Sequence, residues 1–460
     1  MIQRVLSDHY RCPESFANFR VPEDLSGEMG YFRLGNDAIC YGQSSFRPLA
    51  SSPSEDLYDA LRDIALDIPS PQLSFDPTQV IDNLRLERYA TGIYGRTAGN
   101  RWRSPGRRAY YSLRELIPAS LRTRIQRAYF RGWEKLTFPH WPVDHTVENI
   151  LDRLLFISLK AQGLEQLPFI WFWPHGASMC LVMSHDVETR VGRDHCPAIM
   201  DINDSFGVKA AFQIVPEERY EVSPSFLEEI RQRGFEINVH DLNHDGRLFS
   251  SHEIFLERVN KINHYAREFG SRGFRSGALY RNVDWYEALD VSYDMSVPNI
   301  GHLEVQRGGC CTVMPYFIGR VLEIPLTTTQ DYSLFHILGD YSTSLWTRQL
   351  EMIRDRHGLA SFIIHPDYLM QDQAKNTYRA LLEHLGQLRT DGAAWMALPC
   401  EVDLWWRDRS QTILLRQGNS WRIEGPAKDR AQLAYARLEG DRVVYELAPP
   451  AAMECGGQAP

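Results

Sequence analysis

Between residues 178 and 398, short apolar runs alternate with helix-patterned stretches, and that rhythm restricts the chain to few architectures. Strand-like runs fall at 179–185, 209–215, 235–239, 273–276, 293–297, 321–326, 360–364 and 394–398. Helical patterns fill 197–206, 224–233, 252–269, 344–356 and 371–390, with a shorter one at Asp284–Leu289. Strands joined through helices lie in a largely parallel sheet with the helices outside it. Ligands of such folds gather at the carboxyl ends of the strands. Asp186, His240, Arg275, Asp294 and His365 all fall at those ends.

The flanks read differently. Gly30 to Gly42 has the pattern of a hairpin turning at Gly35-Asn36-Asp37, and 56–66 that of a helix. Past Trp406, short β-like runs at 412–415, 421–423, 433–438 and 443–447 imply a small antiparallel appendage, then a frayed tail from Pro449. The expected division is an N-terminal α+β region (1–165), a catalytic domain (166–408) and a β appendage with tail (409–460).

A net charge of −9 gives no general reason to expect nucleic-acid binding. The strongest apolar run, Leu167–Pro174, is far shorter than the roughly 20 residues of a membrane span. The N-terminal residues lack the apolar core of a secretory signal, and eight cysteines follow no regular spacing. Reduced thiols and a cytoplasmic location are the expectation.

One stretch departs from the acidic balance. Residues 101–135 hold ten Lys/Arg against Glu115 and Glu134, with Leu121, Ile125, Tyr129 and Leu136 near helical spacing. The favoured reading is a basic helix packed on the catalytic domain. The alternative is peripheral contact with anionic lipid or a phosphorylated, lipid-linked precursor.

The chemistry concentrates around residues 179–188, an apolar run ending in Asp186 and Glu188. A strand turns every second side chain to one side, so both carboxylates can face one spot. A second run ends in His240-Asp241-Leu242-Asn243-His244. If a helical turn follows, the two imidazoles share a face at metal-gripping spacing. Two His and one carboxylate leave coordination positions open for water and substrate, which points to a hydrolytic metal site.

The order of five motifs carries a resemblance. Ser-His-Asp-Val-Glu (184–188), His-Asp-Leu-Asn-His (240–244), Phe-Arg-Ser-Gly-Ala-Leu-Tyr (274–280), Tyr-Asp-Met-Ser (293–296) and Ile-His-Pro-Asp (364–367) resemble the polysaccharide deacetylase family. This is the NodB-homology group, carbohydrate esterase family four, and the resemblance covers residues 175–408. It implies a distorted (β/α) barrel and metal-dependent removal of an N-acetyl group from a sugar. It also implies Asp186 as catalytic base, His240 and His244 as metal ligands, and Arg275 as the cation holding the base ionised. Asp294 would be the fourth motif's acid and His365 the general acid, with Asp294 or Asp367 keeping His365 charged. Val187 stands where the family has its second aspartate, so Glu188 is the substitute ligand. Zinc is the default metal, with cobalt, nickel or iron fitting the same donors. A backbone N–H near Tyr280 is the expected oxyanion donor.

Other residues receive plainer readings. His185 should face away from the base, Cys310-Cys311 should pack as thiols, and Trp171, Phe172 and Trp173 should be core. Tyr332, Tyr341 and Trp346 are candidate sugar platforms. Two further functions stay open: hydrolysis of a small non-peptide amide, and sugar binding without catalysis.

Overall fold

A computed structural model describes residues 5–16, 19–46, 48–64, 70–90, 119–418 and 420–449. Strands β1 (Gly30–Arg33) and β2 (Ile39–Gly42) form the expected hairpin, with Gly35 at φ +79° in its turn. Only a 3-10 turn, Ala60–Asp63, forms within 56–64, capped by the Asp59 carboxylate, and residues 65–69 lie outside the described residues. Four α-helices among the described residues escaped the sequence reading: Val5–Tyr10, Pro77–Arg85, Thr146–Gln162 and Pro399–Ser410. Pro77–Arg85 starts on an Asp76 cap with proline in its first turn, and Thr146–Gln162 ends at Gly163 with φ +63°. Strand β3 (Gln166–Ile170) follows.

The central sheet contains β4 (Met179–Val187), β5 (Ala211–Ile214), β6 (Glu236–His240), β7 (Gly273–Arg275), β8 (Tyr293–Asp294), β9 (Tyr316–Ile318), β10 (Val321–Glu323), β11 (Leu359–Ile364) and β12 (Ala394–Met396). Its order is β11-β4-β5-β6-β7-β8-β10-β9, with β12 alongside the start of β4. All pairings are parallel except the β9–β10 hairpin. The result is a curled half-barrel sheet within a mixed α/β fold, and no pairing of the described strands joins β10 to β11. Pro325, in the gap, has no N–H to give. Side chains bridge instead: Thr327 Oγ1 donates to Leu359 O (2.7 Å), Thr328 Oγ1 to Ser361 O (2.7 Å) and Ser361 Oγ to Pro325 O (2.5 Å).

Every residue of β4 is buried, because each face meets its own core. Met179, Leu181 and Met183 pack with residues of the outer helices such as Ile199 and Leu381. Cys180 and Val182 join a second core with Phe32 and Val147 of the N-terminal region and Ala434 of the appendage. The even-numbered face of β4 therefore carries Ser184 and Asp186 above a core that all three parts of the chain complete. Strands β13 (Ile413–Gln417) and β14 (Ser420–Glu424) form one hairpin, and β15 (Leu433–Glu439) and β16 (Arg442–Leu447) another. Since β15 also pairs with β3, residues 166–170 sit in the appendage's sheet rather than in the central one.

Of the basic stretch, residues 101–118 lie outside the described residues. Its last part is the helix Ala119–Phe130. Phe130 is buried with Leu303 and Ile337, and Arg127 Nε donates to His336 O (2.8 Å), so this helix packs on loops that connect strands of the central sheet. No described helix is long and apolar enough to cross a membrane. All seven described cysteines are free, including buried Cys310 and Cys311.

Candidate active site

Strand β4 ends by delivering Asp186 and, one residue past it, Glu188 to the same side. Thr189 then caps the helix Arg190–Ser205 through Gly192 N (3.0 Å), so the chain turns away immediately after the acids. Asp186 is 3% exposed and meets Arg275, from the end of β7, at 2.5 Å (Nη1 to Oδ1). The same Nη1 donates to Ser184 Oγ (2.8 Å), and Arg275 Nε to Met295 O (3.0 Å), so the guanidinium is held from three sides. Burial alone would raise the Asp186 carboxyl. Arg275, His240 and His365 overcome that and hold it below the ordinary carboxylate range.

His240 closes β6, and its Nδ1 lies 3.1 Å from Arg275 O. An N–H at Nδ1 satisfies that carbonyl and leaves Nε2 as the free lone pair. His244 reaches the site by a route the sequence did not announce. No helix follows His240; Asp241 and His244 instead adopt left-handed φ of +55° and +52°. The physical reason lies in the loop's tertiary partners. Asp241 N donates to Arg275 O (2.8 Å), while Arg219 donates to the carbonyls of Asn243 (3.0 Å) and His244 (2.6 Å). Strained backbone of this kind persists where surrounding contacts over-determine it.

His244 Nε2 ends 2.9 Å from Glu188 Oε1, His365 Nε2 3.3 Å and His240 Nε2 3.8 Å from the same oxygen. Donor atoms of Glu188, His240 and His244 all lie within 4.8 Å of one another, as do those of Asp186, Glu188 and His365. The Nε2 atoms of His240 and His244 are buried without a hydrogen-bond partner. Two orphaned imidazole lone pairs facing one carboxylate fit a divalent cation of the zinc type. Burial would raise Glu188 too, but His244, His240 and His365 keep it well below the ordinary range.

His365 follows β11. Its Nδ1 contacts Asp331 Oδ1 at 2.6 Å and its backbone N–H donates to Asp331 Oδ2 (2.7 Å). Burial would lower this imidazole; Asp331 and Glu188 reverse the effect and raise it well above its ordinary value. Asp331, in the long connection before the helix Ser344–Arg354, is thus the partner of His365, correcting the expectation of Asp294 or Asp367. No periodicity marks Asp331 in the sequence. Asp294 is fully buried elsewhere, accepting from Ser296 Oγ (2.7 Å) and N (3.0 Å) and bonded to Glu323, so the structure does not bring it to the other predicted residues. Asp367 accepts from Thr189 Oγ1 (3.4 Å). The Tyr280 N–H is spent on Gly277 O (3.2 Å), which removes it as an oxyanion donor.

The remaining readings divide. His185 points away, bonded to Asn203 Nδ2 (3.0 Å), and Trp171, Phe172 and Trp173 are core. Trp346 is fully buried and donates to Thr329 O (2.6 Å), so its ring is not free as a platform, while the half-buried Tyr341 stacks one face on Phe335. Tyr332 stands beside Tyr368, whose ring covers His365 at 4.7 Å. The N-terminal region also reaches the rim. Glu87 forms a buried ion pair with Arg281 and accepts from Gly309 N (2.6 Å).

No family model and no curated protein matches the chain. Solved structures do. A Mycobacterium smegmatis protein described as a polysaccharide deacetylase aligns at 16% identity over 52% of this chain and 93% of its own, with a TM-score of 0.43. The allantoinase Puue aligns at 13% over 51% and 92%, TM-score 0.41. The peptidoglycan deacetylase PdaC from Bacillus subtilis aligns at 11% over 49% and 90%, TM-score 0.32. The chain is similar to polysaccharide deacetylases over about half its length.

Proposed function

We propose that this chain is a metal-dependent hydrolase that removes an N-acetyl group from an amino sugar. The observation that carries the reading is the convergence of Glu188, His240 and His244 on one point, flanked by Asp186 and His365. Glu188, His240 and His244 would hold the divalent ion, which would supply Lewis acidity toward a water and the amide carbonyl. Asp186, kept ionised by Arg275, takes the proton from the attacking water. His365 Nε2, 3.3 Å from Glu188 Oε1, carries a proton stabilised through Asp331 and delivers it to the departing nitrogen. An amide nitrogen leaves poorly without that proton. Tyr368 over His365 keeps bulk water from the acid.

The test couples metal content to turnover. Purified without chelator, the protein should hold about one divalent ion. His240→Ala and Glu188→Ala should each lose it, while Asp186→Asn keeps the ion and loses acetate release by at least about a hundredfold. A fully active Asp186→Asn sinks the assignment of the base.

The near-complete burial of Asp186, His240, His244 and His365, each at most 5% exposed, favours a second reading on the same machinery: a small non-peptide amide. A panel of acetylated sugars against small amides separates the two by kcat/KM.

A further inference from the structure

We propose that the outer face of the helix Ala119–Phe130, with the turn that follows it, docks this chain onto an anionic lipid surface. One side of the helix is already taken. Phe130 is buried against Leu303 and Ile337, and Gln126 is half-buried. At about 100° per residue, those two side chains lie within about 40° of each other on the helix wheel. Arg127, Arg131, Arg124, Ala128, Ile125 and Tyr129 follow one another round the opposite side, and every one of them is exposed.

The outer face is split lengthwise. Arg127, Arg131 and Arg124 make its cationic half. Ile125 and Tyr129, 41% and 42% exposed, make its apolar half, with Ala128 between the two. Lys135, closing the 3-10 turn Trp133–Lys135, adds another exposed cation, and Glu134 is the single acid within 119–135. Among the described residues none of these cations pairs with a carboxylate; Arg127 spends its Nε on a backbone carbonyl. That contrasts with the rest of a chain whose acids outnumber its bases 59 to 50. Exposed arginines elsewhere, such as Arg267, Arg320 and Arg437, each find an acidic partner.

The pairing of the two halves selects the partner. A soluble polyanion would engage the arginines and leave Ile125 and Tyr129 in water. An anionic bilayer offers phosphates to the cations and the acyl boundary to the apolar edge, as helices lying in a membrane interface require. The position of the face adds to the case. Arg127 donates to His336 O and Tyr129 Oη to Val305 O (3.2 Å), so the helix clamps two loops. The first loop begins beside Asp331, the partner of His365. In the second, Glu304 accepts from Gln330 (2.5 Å), the neighbour of Asp331. A lipid plane on the outer face would therefore lie beside the loops that hold the candidate acid, which suits an amide carried on a lipid. The docking argument itself rests on the helix and stands whichever amide the metal site takes.

Co-sedimentation of the full chain with vesicles of phosphatidylglycerol and phosphatidylcholine, beside vesicles of phosphatidylcholine alone, tests the face. The anionic vesicles should bind at least tenfold better, and about 0.5 M salt should remove the difference. Each basic side chain at such a surface is worth about fivefold in partition, so Arg124→Glu with Arg131→Glu should weaken binding at least about twentyfold. Ile125→Asn should weaken it severalfold, and His240→Ala should bind as the wild type does. All three substituted positions on the helix are exposed, so circular dichroism should not change. Equal binding to the neutral vesicles, or wild-type binding by the double arginine variant, would overturn the proposal. Capture of soluble polyphosphate, lost in that double variant while vesicles stay unbound, would also overturn it and assign the face to a soluble polyanion. Loss of vesicle binding in His240→Ala would overturn it as well, by assigning the lipid contact to the metal site.

Discussion

At the scale of single residues, the site is a set of charges whose burial penalties are offset by one another. Asp331 illustrates the dependence. Its carboxylate accepts from the backbone N–H of Tyr332 (2.7 Å) and pairs with His365, and it keeps that imidazole protonated above its ordinary range. Activity should therefore persist to alkaline pH and fall only as His365 loses its proton; on the acid side it should fall as Asp186 and Glu188 protonate, below the usual carboxylate range. Asp331→Asn should lower kcat by about a hundredfold with KM little changed, and pull the alkaline limb to lower pH. A pH profile of kcat/KM checks both parts. An unmoved alkaline limb would reduce Asp331 to a structural role.

Elements decide whether these residues meet. The loop 241–246 is shaped by what packs against it rather than by its own propensity. A Cβ on Gly277 would fall 2.6 Å from Asp241 Oδ2 and 3.0 Å from His244 Cδ2. Gly277→Ala should push His244 off the site and cost about ten- to a hundredfold in metal affinity, with the far-ultraviolet spectrum unchanged. Competition with a chromophoric chelator measures it. The helix Ala119–Phe130 holds the segment 332–338 that begins beside Asp331, through Arg127 and Phe130. Arg127→Ala should slow turnover without changing metal content, as read by steady-state kinetics beside elemental analysis.

Across the whole molecule, the N-terminal region, the central sheet and the appendage share one of the two large cores, so stability is a joint property. Two acids buried at the junctions, Glu148 and Glu304, are pushed up to about 7 by burial. Each folded-state value lies above the unfolded one. Their contribution is fully present below the unfolded value and is lost as pH rises through about 7. Stability should drop between pH 5 and pH 7.5 by on the order of a few kcal/mol per group, read as a lower melting temperature. Glu148→Gln with Glu304→Gln should flatten that dependence. An equally steep curve in the double variant would place the proton uptake elsewhere.

Much of this was legible from residue patterns alone. Alternating runs announced the parallel strands and outer helices, because burying both faces of a strand demands continuous apolar stretches. Period two was enough to set Asp186 and Glu188 on one side and His185 on the other, since the pleat leaves no other choice. What lay beyond it depended on distant contacts. His244 reaches Glu188 through a left-handed loop braced by Arg219 and Gly277, where local spacing suggested a helix. Asp331 finds His365 across 34 residues, and Glu87 finds Arg281 across 194. Propensity and periodicity describe neighbours along the chain. The pairings that set protonation and the open seam beside β11 are made between residues far apart in sequence, so only the tertiary structure could decide them.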